Sequence, residues 1–205
     1  MLGDWWGHSI KGLIIPSVRF QIEQSEINTA YIHFLSELFC GLGYCASNNP
    51  KLVAKKHKSL EKVSITYDES KTITTYNYRL TLYSFTSLYW IYSDFYVLVN
   101  GVLIKKIPTW IGDYITPIGL AHWIMQDGSR QKGQGVMLAT NSFTYDECLM
   151  LANILTNKFG LITTVIKTGV EGQWRINIWK KSMPLLFELV SHYFIKEMLY
   201  KIELN

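Results

Sequence analysis

Three cysteines, Cys40, Cys45 and Cys148, are too few and too unevenly spaced for a disulfide framework or a zinc site. Cys40 and Cys45 have no second pair of ligands nearby, so the thiols read as free, mostly buried groups in a reducing compartment. Charge is sparse as well. Only 18% of residues are charged against 48% hydrophobic, which excludes a disordered chain. No long apolar run is uninterrupted: the most apolar region, Leu80 to Ile104, is broken by Ser84, Ser87, Ser93, Asp94 and Asn100 and makes a poor membrane span. The opening Met1-Leu2-Gly3-Asp4 does not look like a secretory signal. His8, His57 and His122 have no partner spacing for a metal, and His122 reads as a core-helix residue with a satisfied ring.

What remains is a globular chain of 205 residues, enough for one large or two small domains. The net charge of +4 permits a polyanionic partner without demanding one. The 13 Tyr and 7 Trp suit core packing and grooves equally.

In chain order, Ser17 to Gln24 alternates strictly and reads as a half-buried strand. Val18, Phe20 and Ile22 face the core, and Arg19, Gln21 and Glu23 face outward. Asn28 to Gly41 has helical spacing. Residues 46–62 carry Lys51, Lys55, Lys56, His57, Lys58 and Lys62, either a solvated loop or, beside a polyanion, a phosphate-contacting segment. Tyr76 to Tyr83 is a second alternating strand, a helix is expected over 85–99, and Asn100-Gly101 is a turn. Strands are expected over 135–141, 161–168 and 174–179, and a helix starts at Ser182-Met183-Pro184. Thr144-Tyr145-Asp146-Glu147 is a capping box that opens a helix ending at Gly160.

The stretch Thr116 to Ser129 organises the chain. Thr116 can cap a helix, Pro117 stands where a missing N–H does no harm, and Gly128 can end it in the left-handed conformation. Gly119 in the interior suggests that another backbone comes close. Asp127 falls at the C-terminal end, an unfavourable dipole position for a carboxylate. It is either an ordinary solvated Asp or one whose charge is offset, a divalent cation being the natural candidate.

The second half repeats the first. Tyr78-Arg79-Leu80-Thr81-Leu82-Tyr83 matches Trp174-Arg175-Ile176-Asn177-Ile178-Trp179 at an offset of 96 residues. Lys106 and Lys201 follow their arginines by 27 and 26 residues. Asp4 and Asp127 head the halves, and Glu23-Gln24-Ser25 aligns with Thr140-Asn141-Ser142. A repeat of this kind suggests a pseudo-twofold molecule with halves 1–108 and 109–205.

The small-residue helix ending in Asp127-Gly128, with Leu2-Gly3-Asp4-Trp5-Trp6 near the start, resembles the paired core motifs of the single-chain LAGLIDADG homing endonucleases of organellar introns. The resemblance runs from Leu2 to Ile202. It departs from the family at Trp5, where a Gly is usual, and in the three residues before Asp4, too few for a helix. It implies an α+β fold: two αββαββα-type halves whose antiparallel sheets form a saddle over the major groove, with the core helices at the seam. It also implies a monomer that cuts double-stranded DNA, lies at no membrane and works in the mitochondrion. Asp4 and Asp127 would each hold Mg²⁺, Gln24 and Asn141 would position water, and Lys106 and Lys201 would offset charge at phosphorus. Arg19, Gln21, Arg79, Thr81, Arg175 and Asn177 would read bases, and Lys55 and Lys56 would contact phosphates. The same scaffold could instead serve as an intron maturase that binds intron RNA, or persist as an inactive relic.

Overall fold

In the first part of the chain the period-two pattern governs. β1 (Asp4–His8) pairs antiparallel with β2 (Ser17–Ser25); β2 pairs with β4 (Thr72–Thr81), and β4 with β3 (Lys51–Lys58). The computed structural model describes residues 4–8, 17–47, 50–58 and 72–204, of which 4–8, 56–58 and 72–73 are described by backbone alone. Val18, Phe20, Ile22, Leu80 and Leu82 form the covered side of the sheet. Against it lies α1 (Thr29–Gly41), which buries Tyr31, Ile32 and Leu35. Each such side chain withdrawn from water contributes roughly 2 kcal/mol. The basic stretch read as a loop is therefore strand from Lys51 to Lys58, while 59–62 lie outside the described residues. Its lysines suit an edge strand, where charge blocks pairing with a foreign chain.

The chain divides into two compact units, Gly3–Ser87 and Leu88–Asn205. The second opens with α2 (Tyr89–Phe95), β5 (Tyr96–Val99) and β6 (Val102–Lys105). The helix expected over 85–99 thus gives way to a hairpin at Tyr96. Asn100 and Gly101 both take positive φ, 49° and 79°, the turn that folds two strands back with the correct twist. The division expected after residue 108 would leave this segment with the first half; here it belongs to the second unit. Trp110 gives the reason: its ring meets Trp90, Phe95 and Tyr114, and its indole N–H donates to Asp94 at 2.6 Å. The Ile107 amide also donates to Glu147 at 2.8 Å.

Next come α3 (Ile111–Tyr114) and α4 (Pro117–Asp127). Thr116 caps α4 by accepting from the Gly119 amide at 3.3 Å, with Pro117 in the first turn. Then follow β7 (Gly128–Gln131), β8 (Gly135–Ala139), α5 (Tyr145–Phe159), β9 (Thr163–Lys167), β10 (Trp174–Trp179) and α6 (Met183–Val190). The Thr144–Glu147 capping box opens α5, and Gly160 closes it at φ 70°. Leu120, Ile124 and Met125 of α4, Val136 and Leu138 of β8, Leu151 and Leu155 of α5, and Ile176 and Ile178 of β10 make the core.

The two four-stranded sheets have the same topology. Their orders are β1-β2-β4-β3 and β7-β8-β10-β9, first-second-fourth-third in each. This is the expected α+β architecture of two equivalent sheets.

Two glycines differ from expectation. Gly128 is extended, with φ −83° and ψ 144°, and not left-handed. It is required for closeness: a Cβ there would stand 2.6 Å from the Ile124 carbonyl oxygen and 2.9 Å from its Cα, because α4 passes into β7 without a loop. At Gly119 no backbone crowds in among the described residues; an added Cβ would meet Thr116 Oγ1 and Tyr114 O at 3.5 Å, ordinary contact. Gly128→Ala is therefore expected to lower the unfolding free energy by about 2 kcal/mol or more. Gly119→Ala should be neutral or stabilising by up to about 1 kcal/mol. Urea titrations of both variants check the contrast.

Candidate nucleic-acid interface and catalytic residues

Alternation along β2 carries Arg19, Gln21 and Glu23 to the face opposite the core. Pairing with β4 sets Gln21 across from Thr81 and Glu23 across from Arg79, and β3 adds Lys51 across from Arg79 on the other side. Arg19, Gln21, Lys51, Arg79, Thr81 and Tyr83 line an open groove of about 500 Å³. Gln21 Nε2 donates to Thr81 Oγ1 at 3.1 Å. Four of the residues expected to read bases thus meet in one concavity. The Glu23 carboxylate bonds Arg79 through Nε and Nη2 and Lys55 through its ammonium. Burial would push the Glu23 carboxyl up, but these two cations hold it below its ordinary value. Lys56 pairs through its backbone with Thr74.

The outward face of the second sheet is less charged. Arg175 Nε donates to Asn141 Oδ1 at 3.4 Å and its Nη1 reaches Met137 Sδ at 3.7 Å. Asn141 in turn donates to Gln173 Oε1 at 3.2 Å. Asn177 lies opposite Met137 and Thr164 and is only 7% exposed, more covered than a base-reading strand position would suggest. Lys106 is exposed, and its amide donates to the Phe95 carbonyl at 2.8 Å.

Strand register corrects the internal alignment. Arg79 stands opposite Glu23, and Arg175 opposite Ala139. Gln24 therefore corresponds to Thr140, and Ser25 to Asn141, one residue off the alignment drawn from side-chain likeness. Gln24 and Thr140 are alike in being buried: Gln24 accepts from Asn28 Nδ2 at 2.9 Å, and Thr140 donates to the Trp174 carbonyl at 2.9 Å. Asp4 is the first residue of β1, where its backbone pairs with Gln21; it is a strand residue and not the end of a helix.

Asp127 ends α4 and is exposed, and β7 begins at the next residue, opposite Leu138. Lys201 closes the 3₁₀ turn Lys196–Lys201 and is 5% exposed. Its ammonium donates to the carbonyl oxygens of Ile124 at 3.3 Å and Met125 at 2.7 Å, in the last turn of α4. Burial pushes the Lys201 ammonium down to about 8, against the opposing pull of the Asp127 carboxylate. The offset expected for a carboxylate at a helix C-terminus is thus supplied at least in part by a lysine of this chain. Burial likewise pushes His122 down, as befits a core-helix imidazole.

The model of the LAGLIDADG DNA endonuclease family matches residues 1–186. This chain belongs to that family. It is 34% identical to the cytochrome b mRNA maturase bI2 of Saccharomyces cerevisiae over 98% of its own length, and spans 45% of that relative. It is also 34% identical to the intron-encoded endonuclease ai4 of Dictyostelium discoideum, covering 81% of this chain and 96% of that one. Among solved structures it resembles the homing endonuclease I-WcaI bound to its DNA recognition sequence, with a TM-score of 0.73 and 25% identity over all of this chain and 82% of that one.

Among the described residues no three His, Cys, Asp or Glu side chains gather as a metal cage. A LAGLIDADG site built on Asp127 would suit Mg²⁺ all the same, because that ion takes one or two carboxylates and completes its shell with water and substrate phosphate oxygens. Two roles were not legible in the sequence: Glu23 as the shared counter-ion of Arg79 and Lys55, and Lys51 as part of the groove wall. Alternation set Glu23 on the outward face, Lys51 fell in a stretch read as a loop, and only the register of β2, β3 and β4 brings both to Arg79.

Lys201 generates a stability test. Its conjugate acid is held near 8 in the fold and near 10.5 when unfolded, so between those values the unfolded chain binds more protons. The stability of the wild type relative to Lys201→Met should rise from pH 8 to pH 10.5, by up to about 3 kcal/mol, and then level off. Denaturant midpoints of the pair across that range check it; a flat difference would contradict the burial of the charge.

Proposed function

We propose that this protein is a site-specific double-strand DNA endonuclease of the intron-homing type. The observation that carries the reading is the junction of α4 with β7. There an exposed carboxylate, Asp127, stands beside a buried ammonium, Lys201, at a helix end held rigid by its packing. Asp127 would hold Mg²⁺ together with phosphate oxygens and water; when bound, that ion supplies an activated water and stabilises the leaving oxygen. Lys201 would lend positive charge to the phosphoryl centre. Asp4 would provide the second carboxylate, Lys106 the second lysine, and Gln24 and Asn141 the amides that position water. Arg19, Gln21, Arg79, Thr81, Arg175 and Asn177 would meet base edges, and Lys55 and Lys56 phosphates. The protein would act as a monomer, since its two sheets supply the twofold likeness that cutting two strands requires, and the cytochrome b relatives favour a mitochondrial intron as its source.

A second reading is favoured by one finding, the likeness to a cytochrome b mRNA maturase over nearly the whole chain. On that reading the same surface binds intron RNA and Asp127 is dispensable. One substitution separates the two. Asp127→Asn should reduce Mg²⁺-dependent cutting of a duplex spanning the intron insertion site by about 1,000-fold or more while duplex binding persists. Chelation with EDTA should have the same effect on the wild type. Gel-based cleavage, filter binding and a splicing assay on the cognate intron measure the three quantities. If the wild type never cuts such a duplex, yet Asp127→Asn supports splicing at full rate, the maturase reading replaces the nuclease one.

A further inference from the structure

Glu23 is out of place on a surface for a polyanion. The face it shares with Arg19, Lys51, Lys55 and Arg79 is otherwise cationic, and a carboxylate there weakens attraction to any phosphate backbone. Nor does stability explain it, because a partly exposed ion pair adds little. Its geometry is specific, however. Glu23 stands directly across from Arg79, and it engages the Nε and Nη2 side of the guanidinium, so the Nη1 hydrogens lie outside that contact. In the major groove guanine shows two acceptors, O6 and N7, to an arginine fork, while its partner cytosine shows the N4 amino donor, which a carboxylate accepts. A side-by-side arginine and glutamate match that edge pattern. An A·T pair would set its amino group against the guanidinium and the thymine O4 against the carboxylate.

We infer that Glu23 and Arg79 together read one C·G base pair, and that Glu23 is the specificity-determining residue that makes this face selective and not merely cationic. The inference rests on the DNA-binding reading proposed above. Until the correct pair is met, Glu23 occupies Arg79 and Lys55 and so withholds two cations from non-cognate duplex.

The test is enrichment from a pool of random-sequence DNA duplexes, carried out with the wild type, Glu23→Ala and Arg79→Ala, each checked for folding by circular dichroism. The wild type should enrich a motif containing a fixed C·G pair. Glu23→Ala should relax that position alone, cutting the affinity ratio between C·G and T·A there by roughly 10-fold or more. It should also bind a scrambled duplex more tightly and with a steeper salt dependence. Arg79→Ala should lose the same position, and carries the test if Glu23→Ala does not fold. A motif unchanged in either folded variant, or a relaxed position that is A·T, overturns the inference while leaving DNA recognition intact. A wild type that enriches no motif removes the DNA-binding reading itself, and this inference with it.

Discussion

The ammonium of Lys201 has almost no water left to hydrate it, yet it stays in place because α4 ends where it does. The last carbonyls of a helix have no amide partners of their own and carry the negative end of the macrodipole. Lys201 meets two of them, those of Ile124 and Met125, and the charge of Asp127 adds to the attraction. An isolated buried cation would be costly, whereas one that completes a helix end is partly compensated. The remaining cost shows in the downward pull on its proton affinity. A neighbouring anion, such as a phosphate, would raise that affinity again, as the Asp127 carboxylate already does in part.

The same contact fixes the local backbone. Because the helix passes straight into β7, Gly128 has no room for a Cβ beside the Ile124 carbonyl, and the carboxylate before it stands at a helix–strand junction and not on a loop. Lys201 then ties the C-terminal 3₁₀ turn to that junction across 76 residues of sequence.

Features decided within a few residues were legible in the sequence. Thr116, the Thr144–Glu147 box and Gly160 end their helices as their chemistry dictates, and the alternation of β2 names the correct faces, whereas along β10 Asn177 is buried between Ile176 and Ile178. The errors are non-local. A lysine-rich strand looks like a solvated loop until β4 is known to pair with it. Tyr96–Val99 looks helical until Val102–Lys105 folds back on it. The equivalence of Gln24 with Asn141 rested on both being amides; hydrogen-bonded register, which takes no account of side-chain likeness, puts Gln24 with Thr140 instead. Of the candidate site, the position of Asp127 at the end of α4 was readable from its motif. The partners of Lys201 were not, because they lie in a helix far away in sequence.

The two sheets share strand order but not surface chemistry. Around Arg79 stand Arg19, Glu23, Lys51 and Lys55; around Arg175 stand Met137, Asn141 and Gln173. Topology is set by the buried side, where both sheets need the same alternating apolar residues, so it can be preserved while the open side changes freely. A protein built from two identical halves would suit a palindrome. One whose halves each keep the same kind of core, while one sheet carries a charged open side and the other a largely neutral one, would suit a target whose two ends differ in sequence. On the DNA-binding reading proposed above, the charged face would combine long-range attraction to phosphate with the restraint imposed by Glu23, while the neutral face, through Trp179 and the Arg175–Asn141 pair, would contribute mainly at short range. The first unit would therefore dominate the salt dependence of binding, although both units carry the same fold.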